Sequence, residues 1–305
     1  MAAMATMNSA HTKYINKGKF TSQGKGTTHL YKRKLNGKQF ISTRRYKGNT
    51  ANHEIQILKA LQKLPGIIPI VNTLEHINTI NILTPKMTSD LYHFVSYIPD
   101  PEEYTVHVIP KNILLDIFKQ IIETVISMHE KRICHLDLKL ENIVIDNENK
   151  IYIIDFESAE KMDENGFFKT KIFGTKDYIP PNFNHKKTSL INGYAMDMYA
   201  VCTIMINSWL LQYGMKDTKK IGMIQKDTKE MIDIFKGLRK RYNEANPDLK
   251  FQEELLLTIE GLLLIEKEAL QNSKNGGYKK PRRTIHKQYT RKRHSIPSYK
   301  KSYRF

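Results

Sequence analysis

The chain of 305 residues has room for one large domain or for two lobes about a cleft. With 40% apolar and 10% aromatic residues, and no run of about 18 uncharged apolar positions, the composition excludes both a wholly disordered chain and a helical membrane protein. The net charge is +18, and residues 273–305 hold twelve basic residues and no acidic one, leaving +6 for everything before them.

Residues 13–47 are predicted to form strands. Tyr14-Ile15 and Phe20 precede a polar loop with Gly24 and Gly26. His29-Leu30-Tyr31 and Phe40-Ile41-Ser42-Thr43 flank Asn36-Gly37, a dipeptide suited to a two-residue hairpin turn because both residues accept positive φ. From His53 to Leu64, apolar residues recur at helical spacing (Ile55, Ile57, Leu58, Leu61), and Pro65-Gly66 ends the run. Ile67–Val71 and Ile80–Leu83 read as short strands.

Beyond Pro85 the pattern turns helical. Asn112–His129 reads as a long, largely buried helix, residues 188–211 as a second, and 222–272 as further helix. Two strand-like runs, Ile143–Ile145 and Ile151–Ile154, bracket the turn-like Asp146–Asn149. The expected fold is therefore α+β and two-lobed. A lead-in at 1–12 precedes a body at 13–272, with a small β-rich lobe over about 13–84 and a larger helical lobe over about 90–272. A basic, disordered tail follows at 273–305. Met1–His11 lacks the basic and apolar regions of a secretory leader. Cys134 and Cys202 show no metal-type spacing and read as buried thiols in a reducing compartment.

The chemistry concentrates in His135-Leu136-Asp137-Leu138-Lys139-Leu140-Glu141-Asn142 and in Asp155-Phe156-Glu157. Phosphoryl transfer needs a hydroxyl held in line, metal ions on the phosphates and cations at the developing charge. Asp137 can accept or orient the hydroxyl proton, and Lys139 can reach the γ-phosphate. Asn142 and Asp155 offer the hard oxygen ligands that Mg²⁺ prefers. Asn142 follows Asp137 by five residues and Asp155 follows Asn142 by thirteen.

These segments resemble the catalytic loop and metal-binding motif of the eukaryotic protein-kinase superfamily, of the Ser/Thr type by Lys139. The resemblance covers about residues 14–211. Gly174-Thr175-Lys176-Asp177-Tyr178-Ile179-Pro180-Pro181 is similar to the family's peptide-substrate loop, and Asp197 to a buried Asp that braces the catalytic loop. Glu54 stands where a helix glutamate pairs with a strand lysine. Thr84 resembles a gatekeeper, Met87 a hinge residue whose backbone meets adenine, and Asp90 a residue near ribose. The resemblance implies ATP and Mg²⁺ as cofactors and a protein hydroxyl as acceptor. The Pro85–Tyr92 stretch is similar to virus-encoded Ser/Thr kinases, which implies an intracellular setting in the cytoplasm or nucleus of a host cell.

The chain departs from that pattern at several points. The strand lysine falls on Thr43, followed by Arg44 and Arg45. Strand alternation puts Thr43 and Arg45 on one face, whereas a bulge would bring Arg44 inward. Lys25 and Lys32 are further candidate cations. The glycine loop keeps Gly24 and Gly26 but has His29 at its third glycine position. Glu157 replaces a glycine, and Leu136 replaces an Arg that receives an activating phosphate, so activity without such phosphorylation is expected. Asn182 and Arg282 mark an eroded ion pair. Two other classes stay open: a pseudokinase scaffold, favoured by the missing lysine, and a small-molecule phosphotransferase, favoured by Glu157.

In the tail, Lys279-Lys280-Pro281-Arg282-Arg283 and Arg291-Lys292-Arg293 interleave with Tyr278, Tyr289, Tyr299 and Tyr303. Such a segment suits nucleic acid or another acidic partner, and equally a solubilising extension.

Overall fold

Burial alternates along β3 (Gln39–Tyr46): Phe40 and Ser42 are buried on one face, and Ile41, Thr43 and Arg45 are half-buried on the other. This strand organises the small lobe. The structure, a computed structural model, describes residues 14–21, 28–33, 38–96, 109–170, 174–181, 183, 189–212, 226–244 and 249–274. Gly24, Lys25, Gly26, the Asn36-Gly37 turn, Asn182 and residues 275–305, with Arg282, lie outside them.

β1 (Tyr14–Thr21), β2 (Thr28–Arg33), β3, β4 (Asn72–Glu75) and β5 (Thr79–Pro85) form one antiparallel sheet in the order β1-β2-β3-β5-β4. β3 pairs with β5 without interruption, from Phe40 opposite Pro85 to Tyr46 opposite Thr79. Helix α1 (Asn49–Leu61) packs Ala51 and Ile55 against Ile80 and Ile82 of β5. Its Ile57, Leu58 and Leu61 join the main core, so this helix ties the lobes together. It begins before the predicted His53 and stops at Leu61, where Gly66 takes φ 77 against Thr124, a place a Cβ would fill.

The strand expected at Ile67–Val71 does not form. Ile67 makes only an isolated bridge to Ile153, and Val71 N–H donates to Leu83 O at 2.8 Å. Pro69 has no N–H for a ladder, and the segment crosses between the lobes rather than along a sheet.

The large lobe is built from α2 (Leu91–Val95), α3 (Lys111–Glu130), α4 (Gly193–Gln212), α5 (Lys226–Glu244) and α6 (Leu249–Lys274). α3 buries Leu114, Phe118, Ile121 and Val125 in the main core, where Phe118 meets Trp209 of α4 and Phe235 of α5 edge-on, and α4 is enclosed on nearly all sides. Each such fully buried side chain contributes about 1.5–3 kcal/mol of transfer free energy. Short ladders surround them: β6 (Ser89–Asp90), β8 (Ile143–Ile145) and β9 (Ile151–Ile153) in the order β6-β8-β9; β7 (Ile133–Cys134) with β10 (Glu160–Lys161); and β11 (Phe167–Thr170) with β12 (Ser189–Asn192). The helix predicted from residue 188 therefore starts later, because Ser189–Asn192 pair with β11 and Asn192 Oδ1 accepts from Ala195 N–H at 2.9 Å.

The α+β, two-lobed expectation holds. Both cysteines are free and buried. Among the described residues, no helix is long and apolar enough to cross a membrane.

Candidate active site

The floor of the cleft hangs from one buried carboxylate. Asp197, inside α4 and 1% exposed, accepts from His135 N–H at 2.7 Å and Leu136 N–H at 2.9 Å. His129 Nε2 lies 2.9 Å from the same carboxylate, and His129 Nδ1 lies 2.6 Å from Gln252 Oε1. These bonds hold Leu136 at φ 68, a conformation a branched side chain rarely adopts. Gly174, at φ 115, approaches the Leu136 carbonyl more closely than any Cβ would allow.

That strained turn presents Asp137. Lys139 Nζ donates to Asp137 Oδ2 at 2.7 Å and to Thr175 Oγ1 at 3.1 Å, while Thr175 Oγ1 donates to Asp137 Oδ1 at 2.9 Å. Three side chains thus close a triangle. Asn142 Nδ2 donates to Asp137 O at 2.8 Å and to Asp137 Oδ2 at 3.2 Å, which leaves the amide oxygen as its ligand atom for a cation. The His135 ring donates from Nε2 to Ile154 O at 3.0 Å and stacks edge-on against buried Phe156, with centroids 4.8 Å apart. The catalytic loop and the Asp155 turn are therefore one unit. Asp155 itself sits at φ 64 with its carboxylate 40% exposed.

Across the cleft, Arg45 reaches that carboxylate. Its Nε donates to Glu54 Oε2 at 2.7 Å, and its Nη2 donates to Glu54 Oε1 at 3.3 Å and Asp155 Oδ1 at 2.9 Å. Glu157 Oε2 stands 3.6 Å from the same Nη2. One guanidinium thus faces three carboxylates. Burial opposes the charge on Arg45, but Glu54, then Asp155 and Glu157, outweigh it and raise its pKa. Burial also pushes the Glu54 carboxyl above the usual carboxylate range; Arg45 pulls it down, and Asp155 and Glu157 push it up.

Of the two arginines, Arg45 alone points inward. Regular β3–β5 pairing sets Thr43 opposite Ile82 and Arg45 opposite Ile80, so no bulge turns Arg44 in. Arg44 is exposed on the other face, away from Glu54 and Asp155. Lys32 lies in β2.

The hinge residues stand apart from this cluster. Met87 is partly buried against the main core. Asp90 caps α2, accepting from His93 N–H at 2.9 Å, with His93 Nδ1 at 2.8 Å from Oδ2. A cavity of about 750 Å³ beside Met87, Thr88 and Asn147 is also lined by Phe40. It lies beside the hinge at the start of β3, and neither Arg45 nor Asp155 lines it.

Three contributors carry no motif of their own in the sequence. Thr175 lies within a loop. His129 closes an apolar helix. His53 donates from Nε2 to Ala159 O at 2.8 Å, joining α1 to the segment after Asp155. A polar residue beside Glu54 was the only available signal for His53.

The sequence profile described as protein kinase domain matches residues 10–271. Serine/threonine-protein kinase 1 of African swine fever virus (strain Badajoz 1971 Vero-adapted) is 31% identical over 150 residues, 48% of this chain and 45% of that protein. The interferon-induced, double-stranded RNA-activated protein kinase of Rattus norvegicus is 34% identical over 116 residues, 38% of this chain and 22% of that one. The serine/threonine-protein kinase US3 homolog of Gallid herpesvirus 2 (strain GA) is 30% identical over 135 residues, 44% and 31% of the two chains. The chain spans less than half the length of these curated relatives.

Proposed function

The chain belongs to the protein kinase family, and from that premise we propose that it transfers the γ-phosphoryl group of ATP to Ser or Thr hydroxyls of protein substrates. The observation that carries this reading is the closed triangle of Asp137, Lys139 and Thr175 on one side of the cleft, with Asp155 held by Arg45 on the other. Asp137 orients the acceptor hydroxyl and takes its proton, and Lys139 faces the charge that develops on the phosphoryl oxygens. Arg45 is the cation for the phosphates of ATP, with Glu54 holding its fork in place. Met87 backbone and Asp90 serve the adenine and ribose ends, and the Gly24–Gly26 loop covers the phosphates.

The donor set fits Mg²⁺: an amide oxygen from Asn142 and a carboxylate from Asp155 are hard ligands. Asn142 and Asp155 would hold such an ion, with phosphate oxygens and water as its other ligands. When bound, it neutralises charge on the phosphates.

Activity without an activating phosphate is supported by the ladder of β11 with β12, which holds residues 167–170, and by the seat of Gly174 under Leu136. Arg45 also weakens the case for a pseudokinase scaffold, because it offers the cation that Thr43 lacks. Glu157 faces Arg45, as an ion-pair partner rather than a small-molecule ligand. Residues 13–272 form the catalytic body with lobes at about 13–84 and 90–272. Residues 1–12 are a lead-in. Residues 273–305 are a basic tail for nucleic acid or an acidic partner, in the cytoplasm or nucleus of a host cell.

Incubation with Mg²⁺ and γ-labelled ATP tests the activity. Label is expected on the chain itself or on a basic protein substrate, and Asp137→Asn is expected to abolish it. Equal labelling by wild type and variant, or labelling of amino-alcohols and sugars but never peptides, overturns the reading.

A further inference from the structure

Asp197 carries the backbone that presents Asp137, and three donors meet its two oxygens. Leu136 N–H reaches Oδ1, while His135 N–H and the His129 ring reach Oδ2. A carboxylate only accepts, so His129 Nε2 holds the proton of its contact. The opposite ring nitrogen, Nδ1, faces Gln252 of α6 at 2.6 Å, across 123 residues of sequence. His129, Asp197 and Gln252 are all buried, so the protein itself must supply their partners. The place of Gln252 is fixed by the packing of α6 along α3. Leu255, Ile259 and Leu262 are buried in the main core, and Lys119 pairs with Glu260 at 3.1 Å and Lys111 with Glu266 at 3.3 Å. The first turn of α6 is thereby held against the last turn of α3, where His129 also meets Tyr194 edge-on at 5.1 Å.

A side-chain amide suits this position because it has both an acceptor and a donor. Its oxygen accepts from a protonated Nδ1, and after a half-turn its NH2 donates to a bare Nδ1. The ring thus stays aimed at Asp197 in either protonation state. The Gln252 Nε2 end is buried without a hydrogen bond, a cost set against the one contact with the ring. An apolar side chain in its place would leave Nδ1 without that partner and the ring free to turn. We propose that Gln252 is a positioning residue for phosphoryl transfer: it orients His129, which fixes Asp197 and, through Asp197, the strained Leu136 turn that presents Asp137. The proposal rests on the reading of the chain as an active kinase. Its leverage is geometric, since a misplacement of about 1 Å at a reacting group can cost about 100-fold in rate.

The test is steady-state kinetics of the full-length protein on a basic protein substrate, for wild type, Gln252→Met, Gln252→Glu, His129→Phe and the double variant Gln252→Met with His129→Phe. Gln252→Met keeps the length and removes both hydrogen-bonding atoms. It is expected to lower kcat about tenfold and to leave KM for ATP within about twofold, because Arg45 and Glu54 stand on the other lobe. Gln252→Glu keeps an acceptor for an Nδ1 proton and is expected to recover most of that loss. His129→Phe removes the connection itself, so adding Gln252→Met to it should lower kcat no further. In protein with nitrogen-15 histidine, the His129 Nδ1 resonance is expected to move in Gln252→Met. Wild-type kcat in Gln252→Met, an unmoved Nδ1 resonance, or additive losses in the double variant overturns the proposal. Equal losses in Gln252→Met and Gln252→Glu mark damaged packing and overturn it too; if the buried carboxylate prevents folding, the double variant decides. Wild-type protein that transfers no phosphate overturns the kinase reading, and the proposal falls with it. Transfer by the wild type with an unimpaired Gln252→Met strikes the proposal alone.

Discussion

Arg45 Nη2 lies 2.9 Å from Asp155 Oδ1 across 110 residues of sequence, while its Nε holds Glu54 Oε2 at 2.7 Å. Strand β3, helix α1 and the turn after β9 therefore meet at one guanidinium. Because this group is 12% exposed and Glu54 is 5% exposed, removing Arg45 strands the Glu54 carboxylate in a poorly solvated place. Such losses cost about 3–5 kcal/mol when a buried pair is broken on one side.

Arg45→Ala is expected to lower kcat/KM for ATP by about 10- to 100-fold, since charge-assisted hydrogen bonds contribute about 1.5–3 kcal/mol. Arg45→Lys should recover part of this, as ammonium keeps the charge but loses the fork. Arg44→Ala, at an exposed position, should change kcat/KM by no more than about twofold. Steady-state kinetics over an ATP series measures all three, and equal losses at 44 and 45 would contradict the assignment.

Glu54 should titrate above its ordinary value of 4.5, because burial favours its neutral form. The sign follows from proton linkage. A carboxyl with a raised folded pKa binds its proton more tightly in the native state, so its contribution to stability falls as pH rises from 4.5 through that pKa. Carbon-13 NMR of the side-chain carboxyls reads the shift directly. Glu54→Gln should remove that part of the pH dependence of unfolding, and a Glu54 titration at or below 4.5 would refute the prediction.

His53 should act as a positioning residue for α1. His53→Ala removes the donor to Ala159 O, and a neutral hydrogen bond contributes about 0.5–1.5 kcal/mol. The expected result is a kcat lowered up to about tenfold, with recovery in His53→Gln, whose amide can still donate. Equal kcat in His53→Ala and wild type would remove the role.

Neither thiol should react in the folded protein. Cys202 is pushed up to about 12 by burial, and Cys134 rises for the same reason, with Asp197 adding to it. A thiol-exchange reagent at pH 8 should therefore titrate no group until denaturant is added, when both appear. Fast reaction of either one in buffer would show an opening that the fold does not contain.

Much of the site was legible because its residues are close in sequence. Asp137, Lys139 and Asn142 sit within one loop, and the roles proposed for them follow from residue type and spacing. The architecture was equally legible, since periodicity marks α3 and the alternation of β3. Legibility failed where the answer depended on a distant partner. Ile67–Val71 reads as a strand by composition, but its hydrogen bonds go to Ile153 and Leu83 singly. Ser189–Asn192 reads as the start of a helix, yet β11 claims it.

The catalytic-loop segment from His135 to Asn142 was thus determined by the sequence alone: a local motif carries its chemistry in the order and type of its residues. Which cation meets Asp155 was decided only by tertiary structure. Arg44 and Arg45 are neighbours with the same side chain, and an unbroken pairing of β3 with β5 turns one to solvent and the other to Glu54. A one-residue change of register would exchange them, because side chains on a strand alternate with period two.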